Sequence, residues 1–95
     1  VAIYPMRPGA TMNSMRVRVL AFASSSDALG SSERELELAE GTRVGDLRLE
    51  LARRFPAIQP LLERLAIAVE SEIASDDRLL HDGAEIALLP PVSGG

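Results

Sequence analysis

The sequence predicts a single α+β domain in which a mixed sheet of four to five strands is covered on one face by one main helix. Three observations predict this fold class. The chain has 95 residues, which corresponds to one domain near the small end of what folds alone. Segments 16–23 and 34–39 alternate apolar and polar residues as strands do, and 65–69 and 85–89 are short apolar runs. Between these two pairs, apolar residues recur every three or four positions, the spacing of one helical face.

The first two strands are predicted to pair as an antiparallel hairpin. The inward face of this hairpin consists of alternate apolar residues: Val17, Val19, Ala21, Leu36 and Leu38. Leu20 and Phe22 fall on the opposite face of the sheet. Residues 24–33 are rich in Ser, Gly and Asp, and are therefore predicted to form the connecting loop.

The helix is predicted from four apolar residues that share one face: Val44, Leu47, Leu51 and Phe55. Thr42 is the predicted N-cap, because a threonine hydroxyl can accept a hydrogen bond from the first turn. Pro56 ends the helix, since the residue before a proline avoids helical geometry. Residues 57–64 are then a connector with one short turn.

The last two strands are predicted at 65–69 and 85–89. The polar stretch between them, 70–84, is predicted to be irregular and to end in a tight turn at 81–84. The order is therefore strand, strand, helix, strand, strand. With a helix that crosses from the second strand to the third, this order is typical of the β-grasp, or ubiquitin-like, fold.

The chain divides into three parts by composition. Residues 1–14 contain prolines and polar residues without periodicity, and we interpret them as a leader or a vector-derived extension. Residues 15–89 form the β-grasp domain. Residues 90–95 begin with two prolines, which end the last strand, and are expected to form a flexible tail that ends in Gly-Gly.

Composition excludes several classes of function. The chain has no cysteine, which excludes disulfides, thiolate metal sites and a cysteine nucleophile. It also has no lysine, so Schiff-base chemistry and a P-loop are excluded. A net charge of −4 argues against nucleic acid and favours protein partners with basic surfaces. No apolar run approaches the ~20 residues of a membrane span, and we expect a cytoplasmic protein that binds no cofactor.

The end of the sequence carries the predicted chemistry. The α-carboxyl group of Gly95 is ionised at neutral pH, since its intrinsic pKa is about 3.3–3.7. Such a carboxylate can attack the α-phosphate of ATP and form an acyl-adenylate, from which a sulfur nucleophile displaces AMP. Gly94 and Gly95 have no Cβ, so the backbone can enter a narrow channel of a partner enzyme. We therefore predict a thiocarboxylate at Gly95, with Gly94 beside it.

Residues 88–95, Leu-Leu-Pro-Pro-Val-Ser-Gly-Gly, closely resemble the C-terminal signature of the small subunit of molybdopterin synthase. The resemblance extends over residues 15–95. It includes the first strand with its ending Ala-Phe-Ala at 21–23, the helix with Pro56 behind it, and Leu-His-Asp-Gly at 80–83 before the last strand.

This resemblance implies a sulfur carrier that is not catalytic alone. An ATP-dependent activating enzyme would adenylate the terminal glycine, and a cysteine-desulfurase relay would supply sulfur. The charged carrier would dock on the large subunit of molybdopterin synthase, commonly as a heterotetramer. There, two thiocarboxylates in turn would convert precursor Z into the dithiolene of molybdopterin.

A docking surface is expected on the sheet face opposite the helix. Four apolar residues are predicted to lie on that face, next to the tail: Leu20, Phe22, Ala87 and Leu89. Because such a face normally shows alternate polar residues to water, we interpret them, with the tail residues Pro90, Pro91, Val92 and Ser93, as partner-binding. No metal site is predicted, since the spacing of Asp76, Asp77, His81 and Asp82 matches no ligand motif.

Three alternatives stay open. The carrier of the thiamine pathway also ends in Gly-Gly, but it lacks the Pro-Pro-Val-Ser sequence before it. A ubiquitin-like protein modifier would share the activation chemistry and would be found as covalent adducts on other proteins. A plain interaction module with this fold would use no tail chemistry, and loss of Gly94 and Gly95 would then change nothing.

Overall fold

A computed structural model of the chain describes residues 14–91. The elements are β1 (Ser14–Ala21), α1 (Ser24–Leu29), β2 (Glu33–Ala39), α2 (Val44–Arg54), a 3₁₀ helix (Pro56–Arg64), β3 (Ala66–Val69), β4 (Glu72–Ile73) and β5 (Glu85–Leu89). Ser14 is thus the first residue of β1. None of the helices described in this range is long and apolar enough to cross a membrane.

The five strands form one mixed sheet in the order β2-β1-β5-β3-β4. The hairpin of β1 and β2 is antiparallel, as predicted, with Val17 opposite Leu36. At the centre of the sheet, β1 and β5 run parallel, with Val19 opposite Ile86. β5 pairs antiparallel with β3, and β3 with β4. With α2 packed across it, this sheet is the β-grasp arrangement that the order of elements predicted.

The core lies between the sheet and the helices. Alternate strand residues are buried, as predicted for Val17, Val19, Ala21, Leu36, Leu38, Ile86 and Leu88, and in β3 Ile67 and Val69 are buried as well. The predicted face of α2 is confirmed, since Val44, Leu47 and Leu51 have no exposed area and Phe55 packs half-buried against the same cluster. The helices of residues 14–91 pack on one face of the sheet, and we call the opposite face the uncovered face.

The loop predicted at 24–33 was wrong in its first half, because Ser24–Leu29 forms α1. Tertiary contacts stabilise this short polar helix, since Leu29 and Ser25 are both buried. At its end, Gly30 adopts the left-handed conformation (φ 77°) that favours glycine. Its N–H donates to the carbonyl of Ser26 over 2.9 Å. Six residues are too few to show an apolar period.

Thr42 was wrongly predicted as the N-cap of α2. The helix begins at Val44, and the hydroxyl of Thr42 instead donates to the carbonyl of Ala39 over 2.6 Å. The first N–H groups of the helix meet the backbone of a later segment: Val44 donates to Arg78 and Gly45 to Asp76, both over 2.9 Å. Backbone partners distant in sequence have thus taken the place of the predicted Thr42 cap.

The connecting segments were predicted in outline. α2 ends at Arg54, before Pro56 as predicted, but the connector forms a nine-residue 3₁₀ helix that buries Ile58. The stretch 70–84 is irregular except for the two-residue strand β4. The tight turn at 81–84 is confirmed by a hydrogen bond from the N–H of Ala84 to the carbonyl of His81 over 3.1 Å.

The outer side of α2 carries a small ion cluster whose effect on stability depends on pH. Arg53 and Arg54 both bind the carboxylate of Glu50, Arg54 over 2.6 Å. The hydrogen bond from Arg53, followed by that from Arg54, lowers the pKa of Glu50 below its ordinary value. The stabilisation is therefore fully present above the unfolded-state pKa of about 4.3, and is lost as the pH falls through the folded-state value.

We expect Glu50→Gln to lower the free energy of unfolding at neutral pH by about 0.5 kcal/mol or less, because these groups lie near the surface. The variant should lose less stability than the parent chain as the pH falls below about 4. Urea unfolding at a series of pH values measures both effects, with Glu63→Gln as an exposed control. Parallel acid profiles for Glu50→Gln and the parent chain would contradict the assignment.

Candidate functional site

The uncovered face of the sheet is divided into a charged half and an apolar half. In the charged half, two arginines of β1 form ion pairs with glutamates of the neighbouring strands. Arg18 contacts Glu33 at 2.6 Å and Glu85 at 3.7 Å, and Arg16 contacts Glu35 and Glu37. The hydrogen bond with Glu33 raises the pKa of Arg18 above its ordinary value. The guanidinium groups of this half are thus engaged by carboxylates of neighbouring strands.

The apolar half lies where β1 and β5 end. Four of its residues form one row across the sheet, since the register places Leu20 beside Ala87, Ala87 beside Ala68 and Ala68 beside Ile73. In the same half, Leu89 of β5 is paired with Ala66 of β3. Phe22 follows the end of β1, and its side chain is 48% exposed. We call these seven residues the apolar half: Leu20, Phe22, Ala66, Ala68, Ile73, Ala87 and Leu89.

The structure brings together the described members of the predicted docking surface. Leu20, Ala87 and Leu89 are half-buried on the uncovered face. In β5, Ile86 and Leu88 alternate with Ala87 and Leu89 and are buried in the core. Pro90 is half-buried and Pro91 exposed. The other predicted residues, Val92, Ser93, Gly94 and Gly95, lie outside the described residues. Whether these side chains bind a partner stays a prediction.

Three members of the apolar half were not predicted from the sequence. Ala66 and Ala68 alternate with Ile67 in β3, so their common face could have been inferred from the sequence. Ile73, which is 67% exposed, lies in a two-residue strand within a polar stretch. Only the pairing of β4 with β3 places Ile73 beside Ala68, and no local pattern predicts that pairing.

A tight turn fixes Phe22 at the edge of the apolar half. Ala23 has φ 51° and ψ −124°, a conformation that residues with a Cβ rarely adopt and that costs ~1–3 kcal/mol. The N–H of Ser25 donates to the carbonyl of Phe22 over 3.0 Å and closes the turn. The Ser25 hydroxyl accepts from the N–H of Phe22 over 2.9 Å and lies 2.7 Å from its carbonyl oxygen.

Ser25 is the fully buried polar residue of the described core, and its hydroxyl also lies 3.1 Å from the carbonyl oxygen of Leu88 in β5. We expect Ser25→Ala to lower the free energy of unfolding by ~1–3 kcal/mol, because it leaves buried backbone groups without their partner. Ser24→Ala, at the exposed neighbouring position, should change it by less than about 0.5 kcal/mol. Thermal unfolding of both variants tests this, and equal midpoints would contradict it.

The parallel pairing of β1 and β5 decides where the tail leaves the domain. Leu88 lies beside Ala21 at the end of β1, so the chain leaves the sheet next to Phe22 and the apolar half. The polar residues considered as metal ligands lie elsewhere, and within residues 14–91 no group of three or more His, Cys, Asp or Glu could hold a metal ion. His81 is exposed, with its ring 3.7 Å from Glu70.

A sequence profile of the ThiS family matches residues 19–95. This chain belongs to the ThiS family. Among the relatives in this family, the molybdopterin synthase sulfur carrier subunit of Chlamydomonas reinhardtii is 34% identical over 83 residues, which cover 85% of this chain and 100% of that protein. The resemblance found in the sequence is thereby confirmed.

Solved structures of similar fold include two that are named as parts of a molybdopterin-converting factor. A putative molybdopterin converting factor subunit 1 from Pyrococcus furiosus has a TM-score of 0.74 and 34% identity, over 82% of this chain and 99% of that one. Subunit 1 in a complex of subunits 1 and 2 of the molybdopterin-converting factor from Helicobacter pylori has a TM-score of 0.61 and 27% identity, over 85% and 100% of the two chains.

A structural neighbour with a different description is SAMP1 from Haloferax volcanii. Its TM-score is 0.75 and its identity 25%, over 84% of this chain and 99% of that one. A structure of the H. volcanii protein is described as small archaeal modifier protein 1. The same fold therefore occurs in a protein named as a molybdopterin converting factor subunit and in one named as a modifier.

Proposed function

We propose that this chain is the sulfur carrier subunit of a molybdopterin synthase and carries sulfur as a thiocarboxylate on Gly95. The single observation that supports this proposal most is the 34% identity to a molybdopterin synthase sulfur carrier subunit over the whole length of that relative. The position of the apolar half, next to the point where β5 leads into the tail, agrees with a protein that docks and inserts its tail.

The proposed chemistry has two steps, and both take place in a partner enzyme that binds ATP. In the first step, a carboxylate oxygen of Gly95 attacks the α-phosphorus of ATP, and pyrophosphate leaves. In the second, a sulfur nucleophile at the oxidation level of sulfide attacks the carbonyl carbon, and AMP leaves with the bonding electron pair. The carbon keeps one oxygen and gains one sulfur. This chain itself binds no cofactor in the proposal.

Delivery of the sulfur requires the tail to reach a second active site. Residues 90–95 can span at most ~20 Å at ~3.3 Å per residue, which is enough to enter a pocket of a docked partner. We propose that this partner is the large subunit of molybdopterin synthase and that it covers the apolar half. The H. pylori neighbour is described in complex with its subunit 2, and apolar surface of this kind favours protein contacts.

In the proposed assembly, carriers occupy opposite ends of a dimer of large subunits and give a heterotetramer. The large subunit supplies the catalytic side chains, and two thiocarboxylates in turn supply both sulfur atoms of the dithiolene made from precursor Z. After each transfer, water restores the carboxylate of Gly95, which can then be activated again. The carrier is therefore a recycled sulfur-donating subunit and not an enzyme alone.

A second candidate function is that of a protein modifier, which the similarity to SAMP1 favours. In that case an amino group of a target protein would displace AMP, and an amide bond to Gly95 would result. The chain has no lysine, so it could not extend itself through its own side chains. Covalent adducts that persist on a denaturing gel distinguish this candidate from a carrier.

Reconstitution with a large subunit tests the proposed function. We would prepare the chain with a thiocarboxylate at Gly95, combine it with the large subunit from the same genome and precursor Z, and measure dithiolene formation in a single turnover. The proposal predicts one molybdopterin for two thiocarboxylates consumed and none with the unmodified carboxylate chain. A failure of the thiocarboxylate chain, when a carrier of known activity transfers sulfur to its own large subunit, would contradict it.

A further inference from the structure

We propose that Ser25 is a positioning residue, whose hydroxyl holds the turn at Ala23 closed and thereby fixes Phe22 as an anchor for the large subunit. This inference rests on the proposed docking of the apolar half. It assigns a role in binding to a buried serine that contacts no partner itself, and to a turn that the sequence did not predict.

The first support is the way in which Phe22 is held. Ser25 engages both polar backbone groups of Phe22, since its hydroxyl accepts from the N–H over 2.9 Å and lies 2.7 Å from the carbonyl oxygen. The N–H of Ser25 donates to that same carbonyl over 3.0 Å. A residue whose N–H and C=O are both fixed has little freedom in the direction of its side chain, although the ring is 48% exposed.

The second support is the strain at the next residue. Ala23, with φ 51° and ψ −124°, occupies a region that glycine enters freely and alanine rarely. Such a conformation persists only where surrounding contacts hold it, and strained residues of this kind cluster at binding and active sites. Backbone hydrogen bonds also close this turn, from the N–H of Ser25 to the carbonyl of Phe22 and from the N–H of Asp27 to that of Ala23. We infer that these alone do not hold Ala23 at positive φ, so that loss of the Ser25 hydroxyl lets Phe22 change direction.

The third support is the connection to the end of β5. The Ser25 hydroxyl lies 3.1 Å from the carbonyl oxygen of Leu88, two residues before Pro90. A single buried group therefore joins Phe22 to the strand from which the tail departs. The distance between Phe22 and the start of the tail would thus be fixed before docking. Binding to the partner would then require little further ordering of the chain, which favours affinity.

Affinity for the large subunit, measured by titration calorimetry with the full chain, tests the inference through single and double variants. We expect Phe22→Ala and Ser25→Ala each to weaken binding by about tenfold. Because Ser25 acts through Phe22, the double variant Phe22→Ala with Ser25→Ala should bind the large subunit only slightly more weakly than Phe22→Ala alone. Combined with Ser25→Ala, Ala23→Gly should restore most of the lost affinity, since glycine adopts the positive φ of this turn without the strain that alanine carries.

Rescue by Ala23→Gly distinguishes positioning from general destabilisation, because a cavity or an unpaired Leu88 carbonyl would not be repaired at Ala23. Ser24→Ala serves as the matched exposed control. Unchanged affinity in Ser25→Ala or Phe22→Ala, or additive losses without rescue, would overturn the inference while leaving the proposed function in place. If the parent chain itself does not bind the large subunit, the proposed docking is wrong and the inference falls with it.

Discussion

We expect deletion of Gly94 and Gly95 to abolish sulfur transfer and to leave the stability of the domain unchanged. The proposed chemistry uses the carboxylate of Gly95, and a chain that ends at Ser93 would present a carboxylate about 7 Å short of that position. Misplacement of a reacting atom by far less than this reduces rates strongly. The buried core of the described chain lies between Met15 and Leu88, so the deletion removes none of it.

Two assays test this prediction. Dithiolene formation with the activating enzyme, a sulfur donor and the large subunit should fall below detection, while the thermal unfolding midpoint stays within about 1 °C. Deletion of Val1 and Ala2 shortens the chain equally at its other end and should leave both values unchanged. Full activity of the chain without Gly94 and Gly95 would show that the tail carries no sulfur.

We expect Leu20→Glu to weaken binding to the large subunit by about 100-fold or more, because a carboxylate would be buried without a partner in the proposed contact. Leu20 is the first residue of the apolar row, beside Ala87 on one side and opposite Glu33 of the charged half on the other. The substitution should destabilise the isolated domain by only about 1 kcal/mol, since the side chain already contacts water. Calorimetric titration and thermal unfolding separate the two effects.

Leu49→Glu is the matched control for this variant. It makes the same chemical change at a leucine that is 68% exposed on α2, on the opposite side of the sheet from the apolar half. We expect its affinity for the large subunit to equal that of the parent chain within about twofold. Equal losses in both variants would indicate an effect of net charge alone, and an unaffected Leu20→Glu would place the docking surface elsewhere.

The parts of the fold that could be predicted from the sequence are those with a local period. Alternation identified β1 and β2, short apolar runs identified β3 and β5, and the spacing from Val44 to Phe55 identified α2. α1 was missed because its stability comes from contacts of Ser25 and Leu29 with distant residues and not from its own pattern. β4 was missed for the same reason, since its two residues are defined only by pairing with β3.

The candidate site was predictable to a similar extent. Alternation alone placed Leu20, Ala87 and Leu89 on one face, and the parallel pairing of β1 with β5 then brought them together. The contribution of Ile73 depends on strand order, which a single sequence does not reveal. The turn at Ala23 is likewise invisible in the sequence, because alanine is not the residue expected where φ is positive.

The most direct test of a sulfur carrier is the intact mass of the protein after incubation with ATP, a sulfur donor and a cognate activating enzyme. The account predicts a mass gain equal to the exchange of one oxygen atom for one sulfur atom, located at Gly95 by fragmentation and absent when ATP is omitted. An unchanged mass, with an activating enzyme from the same genome that charges another carrier in the same assay, would contradict it.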